Sequence, residues 1–553
     1  MAKRLELGAN IDDAKNVAEL QLILQKVNEE QLRAYEIVDD HAKQCEAYAT
    51  AVFAEQQKTP RLRRKITQPK PLRLILHGTA GTGKSFLIRA ICLRLGLTAI
   101  LTATTGIAAD NIGGETIHAV FHLMAKYAIS DKSKKEMQAR FDIPRFGASA
   151  YVVIVDEYSM LGQKTLDKLS KQAKVATGIE DDFGGLSIIL VGDVGQLPPV
   201  KQDPLYKGLN GRGTKRNSTA ILGYKTFDTV VNLDRVKRQT DPQFRESLLA
   251  VRTGQHNNTH IDYFMQRNPS QLANEVGGLE QIRKCQADGI RLFASNKRVQ
   301  EYNLERLLEC DHVANLEASH TGGDAAASAT PETAGGLYKE FQVARESPVM
   351  LTANQCTHFG LVNGARGVVK EILYARDDGT CHNPSVIMVD VPKYTGPSCF
   401  PPDDILRKTW VPIVPVKRSW TAGKKSTLQL SRTQFPLRLC WAITIHKSQG
   451  QTIQFGVVNL GSKDFATGLS YVALSRFPSL QSFIFDTDSE LKPARLESIA
   501  KSKIHYSMQT ELKRLRGLSN DTARKWPVSA AMMQCRARAA QEEQALLAAR
   551  PRR

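Results

Sequence analysis

A glycine-rich segment between two apolar runs constrains the fold of this chain more than any other feature. It lies between the run Leu72–His77 and the run Phe86–Arg94. This order predicts a strand, a tight turn and a helix, with the G-x-x-x-x-G-K-S pattern of a phosphate-binding loop. Backbone N–H groups of such a turn converge on phosphate oxygens at a helix N-terminus. The residues predicted to surround the phosphates are Gly78, Thr79, Ala80, Gly81, Thr82, Gly83, Lys84 and Ser85.

This pattern assigns a task to each of its last two residues. Lys84 is expected to reach the β and γ phosphates, and Ser85 is expected to hold Mg²⁺. A chance glycine turn is the alternative, but the strand before it and the helix after it disfavour that interpretation. The chain is therefore predicted to bind a nucleoside triphosphate, with ATP and Mg²⁺ as the expected cofactors.

Composition limits the class of partner. The chain has 553 residues and a formal net charge of +19, which suggests several domains and an anionic polymer such as nucleic acid. Charge that serves only solubility is an equally good explanation at this point. The nine cysteines are scattered without C-x-x-C spacing, which disfavours a zinc ribbon and favours a reducing compartment. No run of 18 apolar residues occurs, so no membrane partner is expected.

Apolar runs divide the chain into segments. Residues 71–227 alternate strands with helices, as do 228–344 and 434–495, which predicts an α/β fold with parallel sheets. Between them, 345–433 is rich in short β-like runs and predicts an inserted small β-barrel. The remaining predictions are a helical segment at 1–57, a basic linker at 58–70, a disordered low-complexity loop at 321–336 and a basic tail at 496–553. After about residue 515, this tail is expected to be either a marginal helix or disordered.

Two carboxylates end a predicted strand downstream of the glycine-rich loop. Asp156 and Glu157 follow Tyr151–Val155, and the carboxyl ends of parallel strands share one edge of a sheet. Asp156 suits the Mg²⁺ shell, and Glu157 suits polarising an attacking water. A later strand runs into Gln196, whose amide is predicted to contact the γ-phosphate; a proline-stiffened turn is an equal alternative.

Two arginines are candidates for neutralising charge in the transition state. Arg238 and Arg476 both fall in the second α/β region of the sequence, so they would act across a cleft as arginine fingers. From the residues alone, an ordinary surface arginine is the more frequent explanation for each. The polar cluster His446–Gly450 follows a buried run and is either a site or a capped turn.

These segments, taken together, resemble the ordered motifs of the Pif-type DNA helicases of superfamily 1B, which stand beside the RecD-like helicases. The similarity runs from about residue 27 to 490, and Leu166–Lys174 is similar to the segment that separates the Pif type from RecD types. The matching segments are Gly78–Ser85, Thr104–Ala109, Asn111–His118, Val155–Leu161, Gly192–Val200, Arg238–Gln239, Leu361–Gly364, His446–Thr452 and Tyr471–Arg476.

The resemblance implies two RecA-like domains that bind ATP and move 5′ to 3′ along single-stranded DNA. It assigns the catalytic roles to Lys84, Glu157, Gln196, Arg238 and Arg476. It implies that Gln31 contacts adenine, although a helix-surface glutamine is the alternative, and that Gln449 couples the nucleotide to DNA. Residues 119–147 are expected to hold a wedge that splits duplexes. The implied DNA contacts are Thr105, His118, Asn296, Thr444, His446 and Lys447.

Some positions depart from the family pattern. Lys237 stands where an aromatic residue often precedes the Arg-Gln pair, and the stretches 321–336 and 394–426 are longer than usual. The lysine is expected to change the packing of Arg238, and the two longer stretches are expected to alter DNA binding without affecting hydrolysis. No H-x-H nickase feature occurs, so a fused replication initiator is not expected, whereas an origin in a mobile element stays open.

The resemblance implies a monomeric enzyme that acts on single-stranded and tailed duplex DNA, with RNA–DNA hybrids and G-quadruplexes as further substrates. Replication, repair of DNA damage, recombination and telomere maintenance all fit, in the nucleus or in the mitochondrion. The alternatives are an ATP-driven translocase or remodeller that does not separate strands, and an inactive scaffold derived from a mobile element. The scaffold predicts a broken catalytic residue, and the catalytic residues named above are all intact.

Overall fold

The computed structural model divides into two compact units. The first contains the described residues up to His256, the segment Phe465–Tyr471 and the described residues from Ser498 onward. The second contains Asn257–Asp464 and Val472–Glu497. The structure describes residues 14–58, 66–123, 131–141, 151–209, 218–331, 333–356, 359–374, 384–421, 428–500 and 505–528.

The described helices are mostly short, and none of them is both long enough and apolar enough to cross a membrane. Short 3₁₀ helices occupy Gly96–Thr98, Tyr158–Met160, Asp182–Gly185 and Leu480–Ser482. The α-helices are α1 (Ala14–Lys26), α2 (Glu29–Gln56), α3 (Lys84–Leu95), α4 (Gly106–Asn111), α5 (Ile117–Val120), α6 (Asp131–Phe141), α7 (Gln163–Thr177), α8 (Ser218–Lys225), α9 (Pro242–Thr253), α10 (Asn258–Met265), α11 (Pro269–Leu272), α12 (Gly278–Asp288), α13 (Asn296–Leu308), α14 (Asp324–Ala327), α15 (Ile445–Ser448), α16 (Leu469–Leu474), α17 (Pro493–Ala500) and α18 (His505–Lys525).

The strands form two parallel sheets and three antiparallel ones. They are β1 (Arg73–Gly78), β2 (Ala99–Ala103), β3 (Glu115–Thr116), β4 (Val152–Asp156), β5 (Ser187–Gly192), β6 (Thr229–Leu233), β7 (Ile290–Phe293), β8 (Ala314–Glu317), β9 (Ser319–Thr321), β10 (Glu340–Val343), β11 (Pro348–Leu351), β12 (Arg366–Leu373), β13 (Val386–Asp390), β14 (Trp410–Ile413), β15 (Val416–Thr421), β16 (Gln429–Gln434), β17 (Leu437–Leu439), β18 (Ala442–Thr444), β19 (Gly456–Asn459) and β20 (Phe483–Phe485).

The first unit is built on a parallel sheet with the order β3-β2-β4-β5-β1-β6. Strands β1, β4 and β5 are buried along their whole length because helices cover both faces of the sheet. Successive side chains of a strand point to opposite faces. Leu74 and Leu76 therefore pack with α1, α2 and α3, whereas Ile75 packs with α5, α7 and α18 on the other face. This confirms the predicted α/β class.

The predicted end of the first domain at residue 227 is wrong. Strand β6 pairs in parallel with β1 from Leu74↔Thr229 to Gly78↔Leu233, and α9 belongs to the same unit. The five residues of β6 lie at the edge of the sheet. Such a short apolar run carries too weak a pattern to show that it joins the same sheet as the preceding strands.

The tail predicted at 496–553 is not separate over residues 505–525. These residues form α18, in agreement with the helical one of the two alternatives after about residue 515, and pack on the first unit. Leu515 is fully buried in its core. Glu511 accepts a hydrogen bond of 2.8 Å from the Tyr224 hydroxyl, and the Thr522 hydroxyl accepts one of 3.0 Å from the backbone N–H of Val230. Residues 529–553 lie outside the described part of the chain.

The second unit contains a parallel sheet with the order β18-β7-β19-β20. All four strands lie within 228–344 and 434–495, the two ranges in which the sequence predicts strands alternating with helices. A five-stranded antiparallel sheet, β14-β13-β12-β11-β17, occupies most of the predicted insertion. A closed barrel is not confirmed: within the described residues, the end strands β14 and β17 each pair with one neighbour only, and β15 and β16 form a separate sheet with β9.

Residues 321–336 were expected to be a disordered loop, and this expectation is wrong for the part that the structure describes. The guanidinium group of Arg432 in β16 is fully buried. It donates hydrogen bonds of 2.9 Å to the carbonyl oxygens of Ala326, Ala329 and Leu337. One distant arginine thus satisfies several loop carbonyls, which small-residue composition alone could not indicate.

Candidate nucleotide-binding site

The glycine-rich loop joins β1 to α3, as the sequence predicts. Gly81 and Gly83 have φ angles of +84° and +81°, in the left-handed region that side chains with a Cβ disfavour. A Cβ on Gly81 would lie 2.5 Å from the Cβ of Arg238, and a Cβ on Gly83 would lie 2.6 Å from the Nε2 of Gln31. Both glycines therefore allow other parts of the chain to pack directly against the loop.

Lys84 begins α3 and turns back over the loop. Its Nζ donates hydrogen bonds of 2.8 Å to the Gly78 carbonyl and 2.9 Å to the Thr79 carbonyl. Burial lowers the pKa of Lys84, and the nearby carboxylate of Glu157 acts in the opposite direction. Ser85 is exposed in the first turn of α3, where its hydroxyl is accessible to a bound ion.

Asp156 and Glu157 lie where β4 ends, two strands away from β1 in the sheet. The Oδ1 of Asp156 accepts a hydrogen bond of 2.8 Å from the backbone N–H of Glu157. Burial, followed by the charge of Glu157, raises the pKa of Asp156 to about 7. Glu157 has a φ of +53°, a strained conformation for a non-glycine residue that is most often found at functional sites.

These groups fit a magnesium ion better than a metal held entirely by protein ligands. No cluster of three or more His, Cys, Asp or Glu side chains suited to a metal ion occurs among the described residues. Mg²⁺ commonly keeps several waters and takes only one or two protein oxygens besides the phosphates. One carboxylate, Asp156, and one hydroxyl, Ser85, match that requirement, and a cation would also offset the adjacent negative charges of Asp156 and Glu157.

Gln196 lies in the turn after β5. It is 2% exposed, and its Oε1 has no hydrogen-bond partner within the part of the chain that the structure describes. A buried amide oxygen without a partner costs about 1–3 kcal/mol, which is compatible with a ligand at this position. The γ-phosphate role of Gln196 stays a prediction, because only the amide N–H groups, and not this oxygen, could bind a phosphate oxygen.

Two side chains from distant parts of the chain meet the loop. Gln31 is fully buried, and its Nε2 donates a hydrogen bond of 3.0 Å to the Thr82 carbonyl. Its Oε1 accepts one of 2.9 Å from the backbone N–H of Asn28, which caps α2. The alternative of a helix-surface glutamine is therefore wrong. Arg238 packs against Gly81, and burial lowers its pKa.

The expectation that Arg238 lies in the second α/β region is wrong, because Arg238 belongs to the unit that holds the loop. Arg476 belongs to the second unit and is 2% exposed. Within that unit, its Nε donates a hydrogen bond of 2.9 Å to the Val472 carbonyl, and its backbone carbonyl accepts one of 3.0 Å from Ile453. Gln449 is buried in the same unit. The roles of Arg476 and Gln449 stay predictions.

Sequence reasoning missed a buried polar network beside the loop. The Nε of Arg252 lies 3.1 and 3.2 Å from the two carboxylate oxygens of Asp193. The Tyr471 hydroxyl donates to Asp193 over 3.4 Å and accepts from the Ala80 N–H over 3.3 Å. Asp193 and Tyr471 lie in Gly192–Val200 and Tyr471–Arg476, two of the segments that resemble helicase motifs, so a signal for these two residues was present in the sequence. No local sequence pattern identifies Arg252.

The predicted DNA contacts separate into two groups. Thr105 and His118 belong to the first unit and the other four to the second. Asn296 and Lys447 line one groove of about 570 Å³ in the second unit. Thr105 and Thr444 also have a structural role, because each hydroxyl accepts a backbone N–H at the start of a helix.

The histidines in this set are partly shielded. Burial lowers the pKa of His118 and of His446. Both are therefore neutral at physiological pH and suit hydrogen bonding better than charge pairing with phosphate. The wedge predicted at 119–147 is described only in part, and residues 124–130 and 142–147 lie outside the described chain.

The sequence of this chain is similar to those of known proteins. A family model for PIF1-like helicases matches residues 53–261. The chain is 30% identical to the ATP-dependent DNA helicase PIF1 of Xenopus laevis over 437 residues, which are 78% of this chain and 61% of that protein. It is also 30% identical to the PIF1 helicase of Danio rerio, over 81% of this chain and 64% of that protein. The chain is similar to PIF1-like helicases over about four fifths of its length.

The fold agrees with solved structures of the family. The Pif1 helicase from Candida albicans matches with a TM-score of 0.60 at 24% identity, over 80% of this chain and 95% of that one. The Pif1 helicase from Bacteroides in complex with ADP-AlF3 and ssDNA matches with a TM-score of 0.58 at 22% identity, over 81% of this chain and 95% of that one. The chain spans about three fifths of the length of the vertebrate relatives.

Proposed function

We propose that this protein is an ATP-dependent DNA helicase that moves 5′ to 3′ on single-stranded DNA and unwinds duplexes. One observation carries the proposal: Gln31 and Arg238, far apart in sequence, both pack against the glycine-rich loop that ends in Lys84. Family relatives are named ATP-dependent DNA helicases. The intact catalytic residues oppose the inactive-scaffold alternative.

In this proposal, hydrolysis needs positioning and charge stabilisation more than covalent chemistry. Lys84 leaves the loop carbonyls and binds the β and γ phosphates, while Gln31 contacts adenine. Ser85 and Asp156 hold Mg²⁺, which supplies charge neutralisation at the phosphates when bound. Glu157 accepts a proton from the attacking water, and Gln196 donates its amide hydrogens to the γ-phosphate. Arg238 and Arg476 stabilise the charge that develops during transfer.

The DNA site is proposed to include the groove that contains Asn296 and Lys447. Its lining combines a lysine and amides with the partly buried ring of Tyr338, which suits phosphates and bases together. A Bacteroides Pif1 structure is described as bound to ssDNA. We propose a monomer that acts on tailed duplexes, RNA–DNA hybrids and G-quadruplexes, in the nucleus or the mitochondrion, with roles in replication, repair, recombination or telomere maintenance.

Directional movement can be tested without duplex DNA. Streptavidin is bound to biotin at either the 3′ or the 5′ end of a single strand, and its ATP-dependent release is followed. A protein that moves 5′ to 3′ releases streptavidin from the 3′ end only, and Glu157→Gln abolishes the release because the water is no longer activated. Release from the 5′ end would contradict the proposed polarity.

A second candidate function is an ATP-driven translocase or remodeller that does not separate strands. The same nucleotide-binding residues would serve both functions, so the separation of strands is the property that distinguishes them. Such a protein would pass the streptavidin test and leave tailed duplexes intact.

A further inference from the structure

A buried ion pair holds the turn that carries Gln196. Arg252, in the last turn of α9, is 6% exposed, and its partner Asp193 is fully buried. Besides the two contacts of its Nε, Arg252 donates a third hydrogen bond to the Asp193 carboxylate. The same guanidinium group contacts the Nε2 of His77 at 3.2 Å. Such a planar group with several partners has one orientation available to it.

Asp193 transmits this orientation to the turn. Its Oδ1 accepts a hydrogen bond of 2.9 Å from the backbone N–H of Gly195. Its carbonyl accepts one of 3.0 Å from the backbone N–H of Gln196. The guanidinium group also packs directly on the turn, since a Cβ on Gly195 would lie 2.4 Å from the Nε of Arg252. Arg252 and its partner Asp193 therefore hold the backbone in place on both sides of Gly195.

The side chain of Gln196 depends on this support. Its Oε1 is buried and has no hydrogen-bond partner in the described chain. An amide whose oxygen is held by no partner takes its direction from its backbone and from packing. A catalytic group must stay within a fraction of an ångström of its productive position, so a small movement of the turn would be costly.

We propose that Arg252 is a positioning residue for ATP hydrolysis, which acts through Asp193 to orient the amide of Gln196 toward the γ-phosphate. The inference rests on the role proposed above for Gln196. Arg252 itself touches no nucleotide in this scheme. Substituting Arg252 should therefore lower turnover in the wild-type background and have little effect when Gln196 has been replaced.

A double-mutant cycle tests this dependence. Wild type, Arg252→Gln, Gln196→Ala and the double variant are compared by kcat and KM for ATP hydrolysis at saturating single-stranded DNA. We expect Arg252→Gln to lower kcat about tenfold in the wild-type background and less than about twofold in the Gln196→Ala background, with KM changed less than about twofold. Equal fold losses in the two backgrounds would overturn the proposal.

The matched control is Arg495→Gln in the second unit. Arg495 is 7% exposed and is paired with Asp464, whose side chain is 10% exposed, so its loss also leaves a largely shielded carboxylate without this cation. Any effect of this variant on kcat should be the same in both backgrounds. If Arg252→Gln does not fold, Asp193→Asn replaces it, because the isosteric amide retains the Gly195 contact and weakens the pair; the same two outcomes then decide.

The cycle also separates the two proposals. A wild-type protein that does not hydrolyse ATP would refute the proposed function. A protein whose kcat is unaffected by Gln196→Ala would refute the role of Gln196 and, with it, the inference. A protein that depends on Gln196 but loses activity equally in both backgrounds would refute the inference alone.

Discussion

Lys84 donates hydrogen bonds to two carbonyl oxygens of the same loop in which it is proposed to bind phosphate. Its Nζ bonds to the Gly78 and Thr79 oxygens stabilise the turn, and ATP would exchange them for phosphate oxygens. The lysine is only half-buried, so its removal exposes little apolar surface. Catalysis and folding therefore depend on this residue to very different degrees.

We predict that Lys84→Ala abolishes ATP hydrolysis and leaves the fold intact. Losing one electrostatic contact to the transferred group typically lowers kcat by about 100-fold or more. The measurement is phosphate release with single-stranded DNA, together with the thermal midpoint of unfolding. Lys171→Ala is the control, because Lys171 is an exposed lysine of α7. Retained turnover in Lys84→Ala would refute the assignment of the loop.

His77 predicts a pH dependence of stability. Burial lowers its pKa to about 3, so the folded protein keeps this imidazole neutral. The unfolded chain, whose histidines have a pKa of about 6.5, binds one more proton below that pH, and stability therefore falls as the pH falls from about 6.5 toward 3. Arg252 donates to the neutral ring, which agrees with this state.

The test compares the free energy of unfolding of wild type and His77→Gln at pH 7 and pH 4. Glutamine can accept the Arg252 hydrogen bond and does not titrate. We expect wild type to lose about 3 kcal/mol more than the variant over this range, because one proton is linked at about 1.4 kcal/mol per pH unit. Parallel pH curves would contradict the prediction.

Local sequence patterns predicted the part of the site that is continuous in sequence. Lys84, Asp156 and Glu157 each follow a recognisable strand, and the structure brings them to one edge of the sheet. The packing of Gln31 and Arg238 on the loop depends on tertiary contacts, and only the family resemblance indicated Gln31. Arg252 was not predicted at all, because an arginine in the last turn of an amphipathic helix is usually exposed.

At the scale of elements, α18 ties the C-terminal part of the described chain to the first sheet. Leu515 is fully buried among residues of β5, α7 and α8, and the helix also bonds to β6. A helix of this composition is marginal alone, and its stability must come from this packing.

We predict that Leu515→Ala destabilises the protein by about 2–5 kcal/mol, because it removes buried methyl groups and leaves a cavity. The measurement is urea-induced unfolding of the first unit, followed by circular dichroism. Tyr506→Ala on the same helix is the control, since Tyr506 is 75% exposed. If both variants unfold at the same urea concentration as wild type, α18 is not part of the core.

Strands buried on both faces were predicted well, and those with weak patterns were not. The apolar runs Leu72–His77 and Tyr151–Val155 lie within one residue of the bounds of β1 and β4. β6 was missed because a run of only five residues, at the edge of the parallel sheet, carries too little pattern to be distinguished from a loop. For the second unit, the sequence indicated that strands are present but not which strands pair with each other. Antiparallel pairing depends on contacts between residues that are remote in sequence.

At the scale of the whole molecule, the net charge of +19 predicts binding that is electrostatic and tolerant of sequence. A protein that contacts about four phosphates of a single strand loses about 50-fold in affinity between about 50 and 200 mM salt. We expect a loss of this size for oligonucleotides of different sequence, measured by fluorescence anisotropy. An affinity that does not change with salt would contradict phosphate-based binding.

The most direct test of the helicase proposal is ATP-dependent strand displacement on matched duplexes that carry either a 5′ or a 3′ single-stranded tail. Glu157→Gln serves as the control, because it retains the loop and Asp156 but cannot accept the proton of the attacking water. We expect unwinding from the 5′ tail only, and we expect the variant to lose it. Unwinding from the 3′ tail, or ATP hydrolysis stimulated by DNA with no strand separated, would contradict this expectation.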